Sequence, residues 1–223
     1  MSAEGGIKVK TWAAADPRAI FVFAHGAGAG SSHPWMVRFA TGLAARGVTT
    51  LTFDFDYVVR GKKVPDKVDV LEARWVAAFA EAKKKFPKRR IAIGGKSMGG
   101  RIASHVAASG MVDASCIVFF GYPLHPPGKP ESRRDEHLPR IKAPMLFVQG
   151  ARDTFGGEDE IVPLAQKLRA KVHIVPLGDH SLVVPKKSPV SQEDVYAEAL
   201  DAAAAFIVAH SNKKPRPAPA PKS

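Results

Sequence analysis

The chain has 223 residues, a length that favours one domain, and 45% of its residues are hydrophobic while 24% are charged. These fractions are close to the averages of soluble globular proteins and exclude a fibrous or largely disordered chain. The formal net charge is +12, from 33 Lys and Arg against 21 Asp and Glu. The single cysteine, Cys116, excludes an intramolecular disulfide, and its position in the apolar run CIVFF predicts a buried thiol.

Three expectations about location and partners follow from the composition. The first residues, MSAEGGIKVK, lack the apolar core of a secretory signal, and no stretch has the roughly 18 apolar residues that a membrane span needs. We therefore expect a cytoplasmic protein without a membrane partner. No basic run is interleaved with aromatic residues as in proteins that stack on nucleic-acid bases, so we expect no nucleic-acid partner either.

The carboxyl-terminal residues differ in composition from the rest of the chain. Residues 211–223 read SNKKPRPAPAPKS, in which proline alternates with other residues and every charged side chain is basic. Proline at this spacing excludes a helix, and the segment has little apolar surface to bury. We predict one domain over residues 1–210 and a disordered basic tail over residues 211–223.

Strand-like and helix-like segments alternate along the domain. Runs such as IFVFA, CIVFF and MLFV are continuously apolar, as is typical of strands that are buried on both faces. The predicted strands span residues 7–12, 19–24, 48–54, 90–94, 115–120, 144–149 and 171–176. The predicted helices span residues 35–46, 100–108, 161–169 and 191–210, with another after Pro65 that carries Val68, Leu71, Trp75 and Phe79 on one stripe. This alternation predicts an α/β fold with a mostly parallel sheet of about seven strands and helices on both faces.

One predicted strand runs directly into a serine motif. Residues 91–101 read IAIGGKSMGGR, a buried strand followed by Gly-x-Ser-x-Gly and a helix that starts with small residues. Glycine at positions 95 and 99 allows the strand and the helix to pack closely around a strained turn that projects the serine hydroxyl. The pattern predicts Ser97 as a nucleophile, although a serine that only caps the helix would fit the same letters.

A serine hydroxyl needs a histidine to accept its proton and a carboxylate to orient that histidine. When such groups lie on loops after parallel strands, the chain order Ser, Asp, His is typical. Asp153 follows the strand MLFVQG, and His180 follows the strand VHIVPLG. We therefore predict Ser97, Asp153 and His180 as catalytic residues, with Asp179 as the rival orienting acid.

Acyl transfer also requires two N–H groups that stabilise a developing oxyanion. We assign one to Met98, directly after the nucleophile, and the other to Ala27 in the loop that begins with His25 and Gly26. The same loop, GAGAG, followed by a strand that ends at Asp54, imitates a dinucleotide-binding unit, but it departs from the spacing Gly-x-Gly-x-x-Gly. We expect neither an organic cofactor nor a metal.

Five motifs in chain order carry a family resemblance: AHGAGAGSSHP, GGKSMGGR, GYPLHPPGKPESRRDEHL, VQGARDTFG and GDHS. They resemble a bacterial group of small α/β-hydrolase proteins similar to the testis-expressed hydrolase-like protein and to a scaffold subunit of a chromatin-acetylating complex. The resemblance covers about residues 7–209 and implies the α/β-hydrolase fold, the triad Ser97, Asp153 and His180, and an oxyanion loop of His25, Gly26 and Ala27. Dienelactone hydrolases are more distantly similar and have cysteine where this chain has Ser97.

The segment that follows the predicted strand 115–120 is where such hydrolases insert a cap domain. Here it is too short for a cap, so the resemblance implies an open, shallow site. Its basic residues could give the site a cationic entrance, and the candidate substrate-binding residues are Lys96, His125, Lys129 and Arg134. We expect a serine esterase that acts on a small acyl substrate, and the alternative is a weakly catalytic or non-catalytic scaffold that retains the fold.

Overall fold

The computed structural model describes residues 7–211. Its seven strands form one sheet in the order β1-β3-β2-β4-β5-β6-β7. In chain order the strands are β1 (Val9–Trp12), β2 (Ala19–Ala24), β3 (Val48–Phe53), β4 (Ile91–Lys96), β5 (Ile117–Phe120), β6 (Met145–Gly150) and β7 (Lys171–Val175). The edge strand β1 pairs antiparallel with β3, and every other pair of neighbours is parallel. The predicted mostly parallel sheet of about seven strands is confirmed.

Helices cover both faces of this sheet. They are α1 (Pro34–Ala45), α2 (Asp56–Val59), α3 (Val68–Lys85), α4 (Met98–Ala108), α5 (Glu158–Leu168) and α6 (Gln192–Ser211), with a 3-10 helix at Leu138–Arg140. The sequence did not predict α2 or the 3-10 helix, because each is too short to show a helical period. Helix α6 includes Ser211, which the sequence had placed in the tail, and residues 212–223 of the predicted tail lie outside the described residues.

The central strands are apolar throughout because both of their faces are covered. In β2, Phe21 and Phe23 face the layer formed by α1 and α6, whereas Ile20 and Val22 face the layer formed by α3, α4 and α5. Every residue of β2 is buried. The continuous apolar runs in the sequence therefore reflect two separate cores, one on each side of the sheet.

The parallel strands bring four loops to one edge of the sheet. His25 follows β2, Ser97 follows β4, Asp153 follows β6 and His180 follows β7. Strands β2 and β4 are direct neighbours, with Ala24 opposite Gly95, so the first two loops start side by side. The carboxyl edge of the sheet thus carries all the loops that the sequence associated with catalysis.

The segment between β5 and β6 lies against the body of the domain. Tyr122, Leu124 and Leu138 are fully buried in the core on the α3 and α4 side. The 3-10 helix is the one regular element in this segment. None of the helices within residues 7–211 combines the length and the apolar character that crossing a bilayer requires.

Candidate active site

The backbone of Ser97 has the conformation expected of a sharp turn between a strand and a helix. Its φ of 50° and ψ of −118° lie in a region that residues other than glycine rarely adopt. A Cβ on Gly95 would lie 2.4 Å from the nitrogen of Gly100, and a Cβ on Gly99 would lie 2.5 Å from the carbonyl oxygen of Ala24. Only glycine fits at these two positions, so α4 packs directly on the ends of β4 and β2. Within the described residues the Ser97 side chain does not cap α4.

A chain of hydrogen bonds connects Ser97 to His180 and Asp153. The Oγ of Ser97 lies 2.8 Å from Nε2 of His180, and Nδ1 of His180 lies 2.8 Å from Oδ2 of Asp153. A carboxylate accepts the Nδ1 proton, which leaves Nε2 free to accept the proton of the serine hydroxyl. The three residues come from loops after β4, β6 and β7, which the sequence separates widely.

Two further donors hold the carboxylate of Asp153 in place. The side-chain amide of Gln149 donates to Oδ2 at 2.8 Å, and the backbone N–H of Phe155 donates to Oδ1 at 2.8 Å. The Asp153 side chain is buried, so these donors replace the water that would otherwise solvate a carboxylate. The ring of Phe155 also stacks on His180, with 4.2 Å between the ring centroids.

Sequence reasoning missed both Gln149 and Phe155. The one available signal for Gln149 was a polar amide at the end of an apolar strand, where a buried side chain must find partners. No sequence signal predicts the contact between Phe155 and His180, because the two residues lie in loops after different strands.

The rival acid Asp179 has a different set of partners. Its Oδ1 accepts hydrogen bonds from the backbone N–H groups of Ser181 at 2.7 Å and Val183 at 2.9 Å. The carboxylate of Asp179 therefore closes the turn that carries His180, while Asp153 is the acid that bonds the imidazole ring.

The loop after β2 lies beside Ser97. A Cβ on Gly26 would stand 3.5 Å from the Cβ of Ser97. His25 is fully buried, and its Nε2 accepts the backbone N–H of Phe55 at 3.2 Å, so its proton is on Nδ1 and is donated to the carbonyl oxygen of Gly26 at 2.8 Å. Burial lowers the pKa of His25, which favours this neutral form.

This hydrogen bond orients the peptide group that contains the N–H of Ala27. Because a peptide bond is planar and trans, the N–H of Ala27 points away from the Gly26 carbonyl that His25 holds. Within residues 7–211, neither this N–H nor that of Met98 donates a hydrogen bond to the protein. Two unengaged donors thus lie beside Ser97, one in the loop after β2 and one at the first residue of α4.

Two of the four candidate basic residues have partners inside the protein. The ammonium of Lys96 donates to the carbonyl oxygen of His180. His125 is 5% exposed and lies 2.8 Å from a carboxylate oxygen of Glu160. Both groups have protein partners instead of standing free at the entrance to a site.

The other two basic residues have no such partner. Lys129 is exposed and Arg134 is partly exposed. Within the described part of the chain, neither side chain forms a hydrogen bond or an ion pair. A contact of Lys129 or Arg134 with substrate stays a prediction.

Two surface cavities, of about 410 and 520 Å³, lie at the amino ends of the strands. The first is lined by residues 107–110, 112–114 and 140–143, and the second by residues 13, 15, 16, 18, 41 and 44–47. Ser97 lines neither of them. Among residues 7–211, no three His, Cys, Asp or Glu side chains converge as metal ligands would.

Comparison with known proteins places the chain in a family. Residues 17–208 match the family described as the alpha/beta hydrolase domain. The fold is similar to that of TT1662 from Thermus thermophilus, with 17% identity, a TM-score of 0.71 and 94% and 95% of the two chains covered. It is also similar to XC6422 from Xanthomonas campestris, described as an a/b serine hydrolase without lid, with 14% identity, a TM-score of 0.69 and coverage of 93% and 90%. A dienelactone hydrolase from Anabaena variabilis has 21% identity and a TM-score of 0.64, with 93% and 92% of the chains covered. The family match spans most of the sequence, and the chain belongs to the alpha/beta hydrolase domain family.

Proposed function

We propose that this protein is a serine hydrolase that cleaves an ester or related acyl bond of a small molecule through an acyl-enzyme. The proposal depends on one observation, the continuous hydrogen bonds of 2.8 Å from Ser97 through His180 to Asp153. A serine, an imidazole and a buried carboxylate in this order form the arrangement that makes a serine hydroxyl nucleophilic at neutral pH.

Acylation begins when the Oγ of Ser97 attacks the substrate carbonyl carbon while Nε2 of His180 removes the hydroxyl proton. The carboxylate of Asp153 stabilises the imidazolium that forms. The carbonyl oxygen becomes an oxyanion, and the N–H groups of Ala27 and Met98 donate to it. Collapse of this intermediate breaks the bond to the alcohol, which leaves with the proton from His180.

Deacylation repeats these steps with water as the nucleophile. Water attacks the carbonyl carbon of the acyl group on Ser97, and Nε2 of His180 accepts its proton. The second tetrahedral intermediate then releases the carboxylic acid, and the proton returns to Oγ of Ser97. One water is consumed, and one acid and one alcohol are formed.

The single cysteine is not a rival nucleophile. Cys116 is fully buried directly before β5, and burial raises the pKa of its thiol to about 12. A thiol of that kind carries almost no thiolate near neutral pH. We also propose a cytoplasmic location, since a chain whose single thiol is buried needs no oxidising compartment.

For the substrate, we propose a small acyl compound that binds in an open site. The segment between β5 and β6 packs onto the core, and Lys129 and Arg134 stay candidates for contact with polar or anionic groups. The similar XC6422 is described as lacking a lid. The alternative to a serine hydrolase is a scaffold protein that retains the fold with little or no catalysis, as the motif resemblance to a scaffold subunit suggests.

A fluorophosphonate probe distinguishes these functions, because it reacts with an activated serine. We expect the wild type to be labelled on the peptide that contains Ser97, and Ser97→Ala to lose essentially all labelling and ester hydrolysis. Circular dichroism and the melting temperature of Ser97→Ala serve as the folding control. Equal labelling of both proteins would contradict the role of Ser97, and an unlabelled wild type that hydrolyses no ester in a panel of acyl chain lengths would favour the scaffold.

A further inference from the structure

Lys96 has an unusual environment for a lysine side chain. It is the last residue of β4 and directly precedes Ser97. Its ammonium donates to the carbonyl oxygen of His180 and lies 5.7 Å from the ring centroid of Trp35. Within residues 7–211 it forms no ion pair with a carboxylate.

Burial of this ammonium is unfavourable by itself. Removal from water lowers the pKa of Lys96 to about 8, and the carboxylates of Asp153 and Asp179 raise it only in part. A partly buried cation without a paired carboxylate costs stability, and an aliphatic side chain would avoid that cost. The bond to His180 is the contact that an aliphatic residue could not make.

Two side chains from other parts of the fold donate hydrogen bonds to successive carbonyl groups of the loop that carries His180. Lys96 donates to the carbonyl of His180, and the indole N–H of Trp35 donates to the carbonyl of Ser181 at 3.0 Å. A Cβ on Gly121 would stand 3.2 Å from the Lys96 nitrogen and 3.3 Å from Nδ1 of His180. The Lys96 nitrogen and Nδ1 of His180 therefore both lie close to one point beside Gly121, at the end of β5.

We propose that Lys96 is a positioning residue for His180, connecting the histidine loop to the strand that presents the nucleophile. This inference depends on the proposed function, because it assigns a role within the same site. Lys96 and Ser97 are adjacent at the end of β4. This strand end therefore positions both the Ser97 hydroxyl and the loop that carries His180, to which the hydroxyl is hydrogen-bonded.

The arrangement has two separable consequences. The hydrogen bond sets the distance between Nε2 of His180 and Oγ of Ser97, and a displacement of about 1 Å can reduce turnover by about 100-fold. The charge acts on the imidazolium, since a nearby cation disfavours a second one. The other charged groups that face Lys96 are Asp153, in the loop after β6, and Asp179, in the loop after β7.

The test compares Lys96→Met, which removes both the bond and the charge, with Lys96→Arg, which keeps a cationic donor. We expect Lys96→Met to reduce kcat by about 10- to 100-fold with KM changed less than about twofold, and Lys96→Arg to recover most of the loss. The acid limb of the pH profile of kcat/KM should move to higher pH in Lys96→Met and stay in place in Lys96→Arg. Lys142→Met, at the amino end of β6 and exposed, is the control for loss of one positive charge.

Hydrogen–deuterium exchange of residues 178–183 gives a readout that does not require turnover. We expect faster exchange of this segment in Lys96→Met and wild-type exchange in Lys142→Met. Unchanged exchange in Lys96→Met would overturn the positioning role even if the wild type is labelled by the probe. A rise in KM confined to anionic esters would also overturn it, because Lys96 would then bind substrate. Absence of probe labelling in the wild type would instead contradict the proposed function.

Discussion

At the scale of single residues, the site depends on the turn at Ser97 and on two positions beside it that only glycine can occupy. A residue held at the backbone angles of Ser97 costs on the order of 1–3 kcal/mol, and such strain persists only where the surrounding packing fixes it. Here the fixed surroundings are Gly95 and Gly99, where a Cβ would overlap neighbouring backbone atoms. The Gly-x-Ser-x-Gly motif therefore accounts both for the strained backbone of Ser97 and for the close packing of α4 on β4.

A second residue-scale feature is that the two candidate acids, Asp153 and Asp179, have different hydrogen-bond partners. We predict that Asp153→Asn reduces turnover by roughly 10⁴-fold, because an amide donor facing Nδ1 of His180 favours the wrong imidazole tautomer. Asp179→Asn should keep most of the activity, since the asparagine oxygen can still accept the N–H groups of Ser181 and Val183. The measurement is kcat/KM of both variants on one ester, and a reversed ranking would assign the orienting role to Asp179.

At the scale of elements, side-chain bonds attach the segment between β5 and β6 to the helices beside it. His125 lies 2.8 Å from Glu160 of α5, and its backbone N–H donates to the carbonyl of Phe155 at 3.1 Å. His137 lies 2.7 Å from Oγ of Ser104 in α4. The segment thus reaches the stacking partner of His180 through a single backbone hydrogen bond.

The contact between His125 and Glu160 predicts a pH-dependent stability. Hydrogen bonds to the carbonyl of Pro126 and to Glu160 raise the pKa of His125 in the folded protein above 6.5. The folded state then binds more protons than the unfolded state above pH 6.5, so this stabilisation is complete below pH 6.5 and is lost as the pH rises through the folded pKa. Urea unfolding of the wild type should show this loss above about pH 6.5.

The matched variants for this prediction are His125→Gln and Glu160→Gln. Each removes the charge-assisted contact, so each should flatten the pH dependence over the same range while lowering stability at pH 6.5 and below. A slope in His125→Gln equal to that of the wild type would assign the effect to another group.

At the scale of the whole molecule, the site forms because loops cross over intervening strands. The loop after β7 must pass β6 and β5 to bring His180 to Ser97 at the end of β4. A Cβ on Gly150 would lie 2.2 Å from the carbonyl oxygen of Asp179, and a Cβ on Gly121, at φ 65°, would lie 2.5 Å from that of His180. The glycines at the ends of β5 and β6 leave the room that this crossing requires.

The length of the folded domain predicts the effect of truncation. Removal of residues 212–223 should leave the melting temperature and the esterase rate unchanged, because this segment has no aliphatic or aromatic side chain larger than proline. Removal of residues 207–223 should lower the melting temperature, since it deletes Ile207, which is fully buried, and Ser211, which is 8% exposed. Thermal unfolding of the two truncations checks this, and a clear loss of stability in the shorter deletion would show that residues 212–223 contribute to the folded state.

The sequence by itself determined the element pattern and the order of the candidate site residues. Apolar runs such as IFVFA have no polar side chain to place in water, so they specify strands covered on both faces. Gly-x-Ser-x-Gly after such a run specifies the turn at Ser97, because only glycine permits the approach of α4 to β4. Some predicted strand ends differ from the observed ones by one or two residues, as for the predicted strand 115–120 and the observed strand Ile117–Phe120. The ends depend on pairing with neighbouring strands, and the local sequence carries no information about that pairing.

Only the tertiary structure decided which partner each polar side chain meets. Lys96 and His125 belong to the same basic set in the sequence as Lys129 and Arg134, yet they bond to His180 and Glu160 inside the protein. The tertiary structure likewise decided that Asp153, and not Asp179, bonds the imidazole ring of His180. A hydrogen bond depends on distances of a few tenths of an ångström between atoms on loops far apart in the chain, and such distances are set by how the strands pair and how the loops cross them.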